Sequence, residues 1–412
     1  MATPDPKPGA GGWFAGIHRN VVALGAASLF TDISSEMLVP IIPLFVTATL
    51  HASVASLGVI EGVAECAASL LRLFSGRLAD RSARRKPFVL LGYGLSGAAK
   101  AGMALVTGWS GMLGLRFADR VGKAIRSPAR DALIADSTAD AHMGRAFGIH
   151  RAMDTLGAAI GPLVAWWLLA HWPGDGAEGY RRVFAFSAIP ATLALLVIVF
   201  FVRAPREGAE RATAPPRWSI PHGAFRRFLA VDVAFQLGNS SMAFVLLRTQ
   251  AAGWSAGQVS LVYLAYNLVY ALLALPFGRL SDRIGRRPLL LAAYAVYAVA
   301  YAALALHATR AGVVAAFLLL AVHSALIEGQ AKSLVADLAP REARASAYGV
   351  QAAFSGLALL PASIAAGLLW DLAGPAAPFA LGAALAALAA LLLVLLLPLS
   401  RERSDRHVRP QR

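Results

Sequence analysis

The ten residues Gly76-Arg77-Leu78-Ala79-Asp80-Arg81-Ser82-Ala83-Arg84-Arg85 return half a chain later as Gly278-Arg279-Leu280-Ser281-Asp282-Arg283-Ile284-Gly285-Arg286-Arg287. Each copy ends an apolar stretch, and each is followed by a proline (Pro87, Pro288) and a further apolar run. Glycine, leucine, aspartate and an arginine pair at one spacing in both halves mark a duplicated unit. Other segments return at nearly the same offset: Leu133-Ile134-Ala135-Asp136 with Leu334-Val335-Ala336-Asp337, Phe147-Gly148 with Tyr348-Gly349, and Ser34-Ser35 with Ser240-Ser241.

Around these motifs the chain is 58% hydrophobic and 15% charged, against roughly 25% charged in an average soluble domain. A helical crossing of a bilayer takes about 20 apolar residues. Runs of that kind recur near residues 21–48, 55–78, 87–108, 110–137, 144–170, 183–202, 224–250, 257–281, 287–308, 311–338, 344–371 and 374–398. They lack the strict alternation of barrel strands, and without a closed barrel only helices satisfy so much backbone in lipid. The sequence therefore predicts an all-α polytopic membrane protein with twelve transmembrane helices in two pseudo-symmetric six-helix bundles. The expected division is an N-terminal bundle at 1–203, a Pro- and Arg-rich cytoplasmic loop at 204–222 acting as a tether, and a C-terminal bundle with a cytoplasmic tail at 223–412.

The formal charge of +15 is spread in a way that argues against a nucleic-acid partner. Arginine and lysine gather in every second loop: Arg77 to Lys86, Arg203 to Arg227, and Arg401 to Arg412. The alternate loops hold few, namely Arg181 and Arg182, Arg248 and Arg310. That asymmetry follows the positive-inside rule and places both termini in the cytoplasm, with the protein in the cytoplasmic (inner) membrane. The first twenty residues contain Pro4, Pro6 and Pro8 and no apolar core of signal-peptide type, so no cleaved signal is expected. A lone cysteine, Cys66, excludes a disulfide framework.

With the repeat and the charge pattern in place, the chain resembles the major facilitator superfamily, whose transporters are built from repeats around a site near the bilayer midplane. The opening motif is similar to that family's cytoplasmic loop signature between helices 2 and 3 and between 8 and 9, with Ala83 in the first copy where the second has Gly285. Arg116 matches the family arginine of the fourth helix, followed by Asp119 and Arg120 where glutamine and glycine are usual. Gly157-x-x-x-Gly161-Pro162 is similar to the fifth-helix signature of exporters and antiporters, although its later glycine pair is replaced by Ala165 and Trp166. The resemblance implies alternating access. It also implies a gating role for the repeated loops (Gly76, Asp80, Arg81; Gly278, Asp282, Arg283) and for Gly157, Gly161 and Pro162.

Charged residues inside predicted spans are costly in lipid and by default mark a cavity, an ion path or a proton relay. Asp32 and Glu36 lie four apart on one face of the first span, and Glu61 and Glu65 do the same in the second. These four are the candidates for proton coupling. The alternative is structural pairing with Arg72 or with the basic groups of the fourth span. That span carries Arg116, Asp119, Arg120, Lys123, Arg126, Arg130 and Asp131 on one broad face, and Pro128 is expected to interrupt its register. Such a stripe either lines a cavity for an anionic or zwitterionic substrate or neutralises the acids of spans one and two. His150, Arg151 and Asp154 extend either arrangement. In the second half, Gln236 and Asn239 are hydrogen-bonding candidates, and His323, Glu328 and Lys332 are mid-membrane candidates in which Glu328 and Lys332 can pair at i,i+4. The positions equivalent to the first-half acids (Gly238, Met242, Tyr263, Asn267) carry none, which concentrates proton handling in the N-terminal half. Arg84, Arg85, Arg286 and Arg287 read as orientation signals.

The expected activity is secondary transport of a small solute by alternating access, proton-coupled and directed outward. The rivals are uptake of an organic anion, a non-transporting receptor, or a membrane enzyme. Against an enzyme or a self-powered pump, the sequence has no Gly-x-Ser-x-Gly elbow, no His-Glu-x-x-His and no Walker loop. No metal site or cofactor is expected, the other partners are protons and the lipid bilayer, and a monomer suffices.

Overall fold

The computed structural model describes residues 18–81, 85–139, 142–172, 176–203, 223–306, 309–340 and 343–397, with only the backbone path for 73, 74, 76–81 and 345. The described residues form fifteen α-helices and one π-helical turn. In the first half these are α1 (Arg19–Glu36), α2 (Ile41–Leu44) running into the π turn Phe45–Thr49, α3 (Val54–Arg81), α4 (Lys86–Met103), α5 (Trp109–Asp136), α6 (Met143–His171) and α7 (Gly176–Phe201). In the second half they are α8 (Ala224–Gly238), α9 (Met242–Ala251), α10 (Ala256–Ile284), α11 (Arg286–Leu306), α12 (Arg310–Ile327), α13 (Gln330–Leu338), α14 (Arg344–Ala373) and α15 (Ala377–Leu396). With α1–α2, α8–α9 and α12–α13 each joined across a short break, the chain crosses twelve times. An even number of crossings puts the start of α1 and the end of α15 on one face, called here the terminal face, with the distal face opposite.

Ten of the twelve segments are apolar enough to span a bilayer on composition. The other two, α4 and α5, carry Lys100, Arg116, Asp119 and Arg126, all of them buried against protein. Their shortfall in hydropathy is therefore charge turned inward, while Leu91, Phe200, Leu272, Leu372 and Leu395 face outward from the bundle as lipid contact requires.

Within the first half α1 packs on α6 and α7, and α4 on α5 and α7; within the second, α11 packs on α12 and α15, and α8 on α15. The halves meet along α3 with α14 and along α6 with α10. Glycines set the first of these contacts. A Cβ on Gly62 would lie 3.0 Å from the Leu360 carbonyl, and one on Gly367 would lie 2.7 Å from the α-carbon of Ala55. Small residues permit this approach in lipid, where dispersion replaces the hydrophobic effect as the driving force.

The fourth span differs from its sequence reading. Pro128 does not interrupt it, and α5 is continuous to Asp136. Proline removes the donor to the carbonyl four residues back, here that of Ala124, and the Ser75 hydroxyl donates to that oxygen instead at 2.6 Å. The tenth span breaks where no interruption was expected, at Glu328 and Gly329, the latter at φ 75°. Glu328 and Lys332 consequently form no i,i+4 pair, and Lys332 is exposed.

The duplication is visible in the ion pairs. Arg85 pairs with Asp136, and Arg286 pairs with Asp337 at 2.8 Å, both 51 residues apart in sequence. The next residue in each half caps the end of its bundle's last helix. The Lys86 ammonium donates to the carbonyls of Val199 and Val202 at 3.0 and 2.7 Å, and Arg287 donates to those of Leu393 and Val394 at 3.0 and 3.2 Å. Arg85, Arg286 and Arg287 are thus fixed structural partners rather than orientation signals alone. Arg84 and the loop residues 82–84 lie outside the described residues.

Candidate functional site

The two halves enclose a cavity of about 320 Å³ whose walls carry four acids, Glu36, Glu61, Glu65 and Asp119, and four bases, Lys100, Arg116, Arg120 and Lys123. Helical periodicity arranges most of these in rungs. Glu61 and Glu65 stand one turn apart on α3, opposite Arg116 and Arg120 one turn apart on α5. In the deeper rung the Arg116 Nε and Nη2 donate to the two oxygens of Glu61 at 2.9 and 3.2 Å, and Asp119 stands 3.7 Å from Nη1. This rung is dry, with the Arg116 and Glu61 side chains 8% and 5% exposed. In the outer rung Arg120 meets Glu65 at 2.8 Å with Glu65 37% exposed, and Lys123 beyond it is exposed. The cavity therefore wets progressively toward the terminal face.

The second half contributes hydroxyls. Ser241 donates to Glu61 at 3.2 Å, and Tyr263 donates to Glu36 at 2.8 Å. Ser241 lies in the break between α8 and α9, where the chain leaves helical geometry at Asn239 and re-enters with the Ser241 hydroxyl capping α9. A second compartment of about 300 Å³ adjoins there, sharing Asn239, Ser240 and Met242 with the first and lined by Phe235, Gln236, Tyr266, Tyr297, Tyr301 and His323.

The halves are joined differently at the two ends of the cavity. On the distal side Leu38, Ile41, Ile42 and Phe45 of the first half form one apolar core with Ala243 and Leu247 of α9, and Trp370 packs against it. Asp371 beside that tryptophan accepts from the Val54 and Ala55 amides at 3.1 and 2.8 Å, capping the start of α3 from the opposite half. Toward the terminal face the halves are joined by polar side-chain bonds as well as by α3–α14 packing. Arg151 of α6 pairs with Glu328 and bonds Tyr270 of α10 at 2.5 Å, and Tyr270 also bonds Glu328.

A six-stroke pair of repeats, a polar cavity between them and unlike contacts between the halves at its ends describe a transporter architecture, and sequence comparison agrees. The Major Facilitator Superfamily model matches residues 24–247 and 228–411. The chain belongs to the major facilitator superfamily. It is 31% identical over 375 residues to an uncharacterised MFS-type transporter of Methanocaldococcus jannaschii, covering 90% of this chain and 92% of that one. An uncharacterised protein of Mycobacterium tuberculosis is 31% identical over 387 residues, covering 89% of each. Among solved structures, the nucleoside transporter NupG superposes with a TM-score of 0.74 at 13% identity, covering 92% of this chain and 99% of that one. A D-xylose–proton symporter gives 0.72 at 16%, covering 92% and 97%. As a superfamily member the protein is a multi-pass membrane transporter of small solutes, not an enzyme.

In this MFS protein the sequence-derived candidates separate into groups. Glu36, Glu61, Glu65, Arg116, Asp119, Arg120, Lys123 and Asn239 line the main cavity, and Gln236, Asn239 and His323 line the aromatic one. Asp32 is half-buried against α6, where a Cβ on Gly157 would lie 2.9 Å from its own. His150 bonds Ser28 at 2.9 Å and approaches Asp154 at 3.5 Å, away from the cavity wall. The basic stripe of α5 divides below Lys123. Arg126 sits 4.7 Å over the Tyr93 ring, and Arg130 bonds Ser28 at 3.0 Å.

Gly157 and Gly161 seat α6 on α1. A Cβ on Gly157 would lie 2.6 Å from the Leu29 carbonyl, and one on Gly161 would lie 2.8 Å from the Met37 nitrogen. Pro162 leaves the Ala158 carbonyl without its helical donor, and Asn267 of α10 donates to it from the other half at 2.9 Å. Asp282 and Arg283 are exposed at the end of α10, and a Cβ on Gly278 would meet open space. The side chains of Asp80 and Arg81, and Gly76 with them, lie outside the described residues.

Three residues escaped the sequence reading. Lys100 is 1% exposed on the cavity wall and was hidden as a single lysine in an otherwise apolar run. Asp232 of α8 is 1% exposed and accepts from Ser355 at 2.7 Å and Gln351 at 3.2 Å, so the second half does hold a buried acid. It sits away from the repeat-equivalent positions. Asp371 gave no signal, since its partner amides lie 317 and 316 residues away.

Proposed function

We propose that the protein is a proton-coupled secondary exporter of a small solute, working by alternating access as a monomer in the cytoplasmic membrane. In this reading the terminal face is cytoplasmic, both termini included. The bundles 1–203 and 223–412 rock about the link 204–222, with the repeated loops at Asp80 and Asp282 biasing which side is open. The observation that supports it best is the charged cavity on the boundary between halves, with apolar packing between the halves at one end and exposed polar links at the other. A solute released there leaves by whichever end parts.

The coupling role falls to the acids that no base holds in an ion pair. Glu61 and Glu65 are each held by an arginine, whereas among the described residues Asp32 and Glu36 form no ion pair. Intramembrane acids of this kind mark an ion path or a proton relay by default. Export is preferred to uptake on the resemblance of Gly157, Gly161 and Pro162 to the exporter signature.

The test is a metabolite and drug panel on everted vesicles, with and without an imposed proton gradient. Gradient-driven accumulation is expected in the wild type and its loss in Asp32→Asn, with the variant folded and inserted. Accumulation by Asp32→Asn at the wild-type rate would remove Asp32 from the mechanism, and accumulation only in right-side-out vesicles would reverse the direction.

A further inference from the structure

The cavity has more hydrogen-bond donors than its own acceptors claim. Its acids are taken: Glu61 by Arg116 and Ser241, Asp119 by Ser96 and Arg116, Glu65 by Arg120, and Glu36 by Tyr263. Its bases are not. Lys100, 1% exposed, gives one bond at 2.7 Å to the neutral Ser35 hydroxyl, and no carboxylate stands within ion-pairing distance of it among the described residues. An ammonium has three protons to give; Asp119 and Asp32 act on this one only through space, so protons of Lys100 are left without a bonded acceptor among the described residues. In the wall of the same cavity, the buried Nε of Arg120 has no hydrogen-bond partner among the described residues.

The adjoining compartment has the opposite character. It holds no acid or base except His323, whose Nδ1 donates to the Ala293 carbonyl at 2.8 Å. Its walls are flat: Tyr297 stacks on Tyr301 at 4.0 Å, and His323 lies edge-on to Tyr297 at 4.8 Å. The compartments share Asn239 and Ser240.

We propose that the substrate is an organic anion carrying a planar ring, its carboxylate or similar group bound by Lys100 with the Arg120 Nε, and its ring lodged among Phe235, Tyr297 and Tyr301. The assignment rests on the transporter reading above. It adds a substrate class and names Lys100 as the residue that selects for charge. The unclaimed donors of Lys100 and the Arg120 Nε select the anion over the amine, because an ammonium offers them no acceptor. The aromatic compartment selects the ring through stacking, a preference aliphatic acids cannot share.

The test measures equilibrium binding to the purified full-length protein with four probes: 6-hydroxy-2-naphthoate, its amide, the corresponding aminomethyl compound, and hexanoate. The wild type is expected to bind the naphthoate about tenfold or more tighter than the amide, the range of one charge-assisted hydrogen bond. Hexanoate and the amine should be weaker still. Lys100→Met should abolish the naphthoate-over-amide ratio while still binding the amide, which reports folding within the same sample. Tyr301→Leu should shrink the naphthoate-over-hexanoate ratio and leave the charge preference in place.

Should either variant fail to fold, the wild-type ratios decide alone. Equal binding of naphthoate and amide, preference for the amine, or no binding by any probe overturns the proposal. Retention of the charge preference in Lys100→Met overturns the assignment of Lys100. Vesicle assays separate this from the broader reading. Transport of lipophilic cations with no naphthoate binding would sink the substrate class and keep the transporter, whereas naphthoate binding without transport under any gradient would do the reverse.

Discussion

Removing either partner of the Arg116–Glu61 pair should destabilise the protein, but by unequal amounts. In Arg116→Gln the Glu61 carboxylate keeps one neutral donor, the Ser241 hydroxyl at 3.2 Å, while 5% exposed. Losing one member of a buried pair costs about 3–5 kcal/mol. In Glu61→Gln the stranded arginine still has Asp119 at 3.7 Å and the new amide oxygen, so the loss should sit near the lower value for a central cation, about 2.5–3.5 kcal/mol. The double variant leaves no unpaired charge between these two positions and should recover part of the loss, a coupling of about 1–3 kcal/mol. The assay is thermal inactivation in detergent, ranked by half-life because membrane proteins of this size rarely unfold reversibly. The expected order is wild type, double variant, Glu61→Gln, Arg116→Gln. Additive losses, or an arginine variant more stable than the glutamate variant, would refute the view that this rung is a dry, mutually dependent pair.

Gly161→Ala should lower thermal stability by about 1–3 kcal/mol, because the added carbon meets the Met37 nitrogen at 2.8 Å; an unchanged half-life would mean that α1 can yield. Asn267→Leu strands the Ala158 carbonyl and should cost about 1–2 kcal/mol. It should also raise labelling of single cysteines placed at the terminal mouth after Cys66 is replaced, and unchanged labelling would show that the bond does not hold the halves together. Asp371→Asn removes the charge that caps α3 from the opposite half and should increase labelling at the distal mouth only. Asp282→Asn should slow turnover with substrate affinity little changed, and an unaltered rate would reduce that loop to an orientation signal.

The twelve crossings were legible because span length and the recurring motifs are local properties of the chain. The motif itself aligns Arg85 with Arg287, and only the ion pairs show that Arg85 and Arg286 are the equivalent residues, one position off, at the offset of Asp136 and Asp337. The cavity wall was legible in kind, since acids of α3 and bases of α5 at four-residue spacing announce facing stripes. Pairing was not: Arg120 binds Glu65 rather than Glu61, a matter of helix offset that no single stripe encodes. Pro128 misled because the donor that replaces its missing N–H, Ser75, lies on another helix. The break at Gly329 and the trans cap from Asp371 are likewise decided by partners far along the chain.

The unlike contacts between the halves should make the facing of this protein respond to its solution. Cooling weakens apolar association, so chilling should loosen the Leu38–Phe45 contact with Ala243 and Leu247 before it disturbs anything at the other mouth. Added electrolyte screens accessible charges over about 8–10 Å near physiological strength, and Arg151 and Glu328, 56% and 39% exposed, are within its reach. Temperature and ionic strength thus act as separate handles on opposite ends of one channel. A preparation kept warm in brine and one kept cold in dilute buffer should present different mouths to the same reagent.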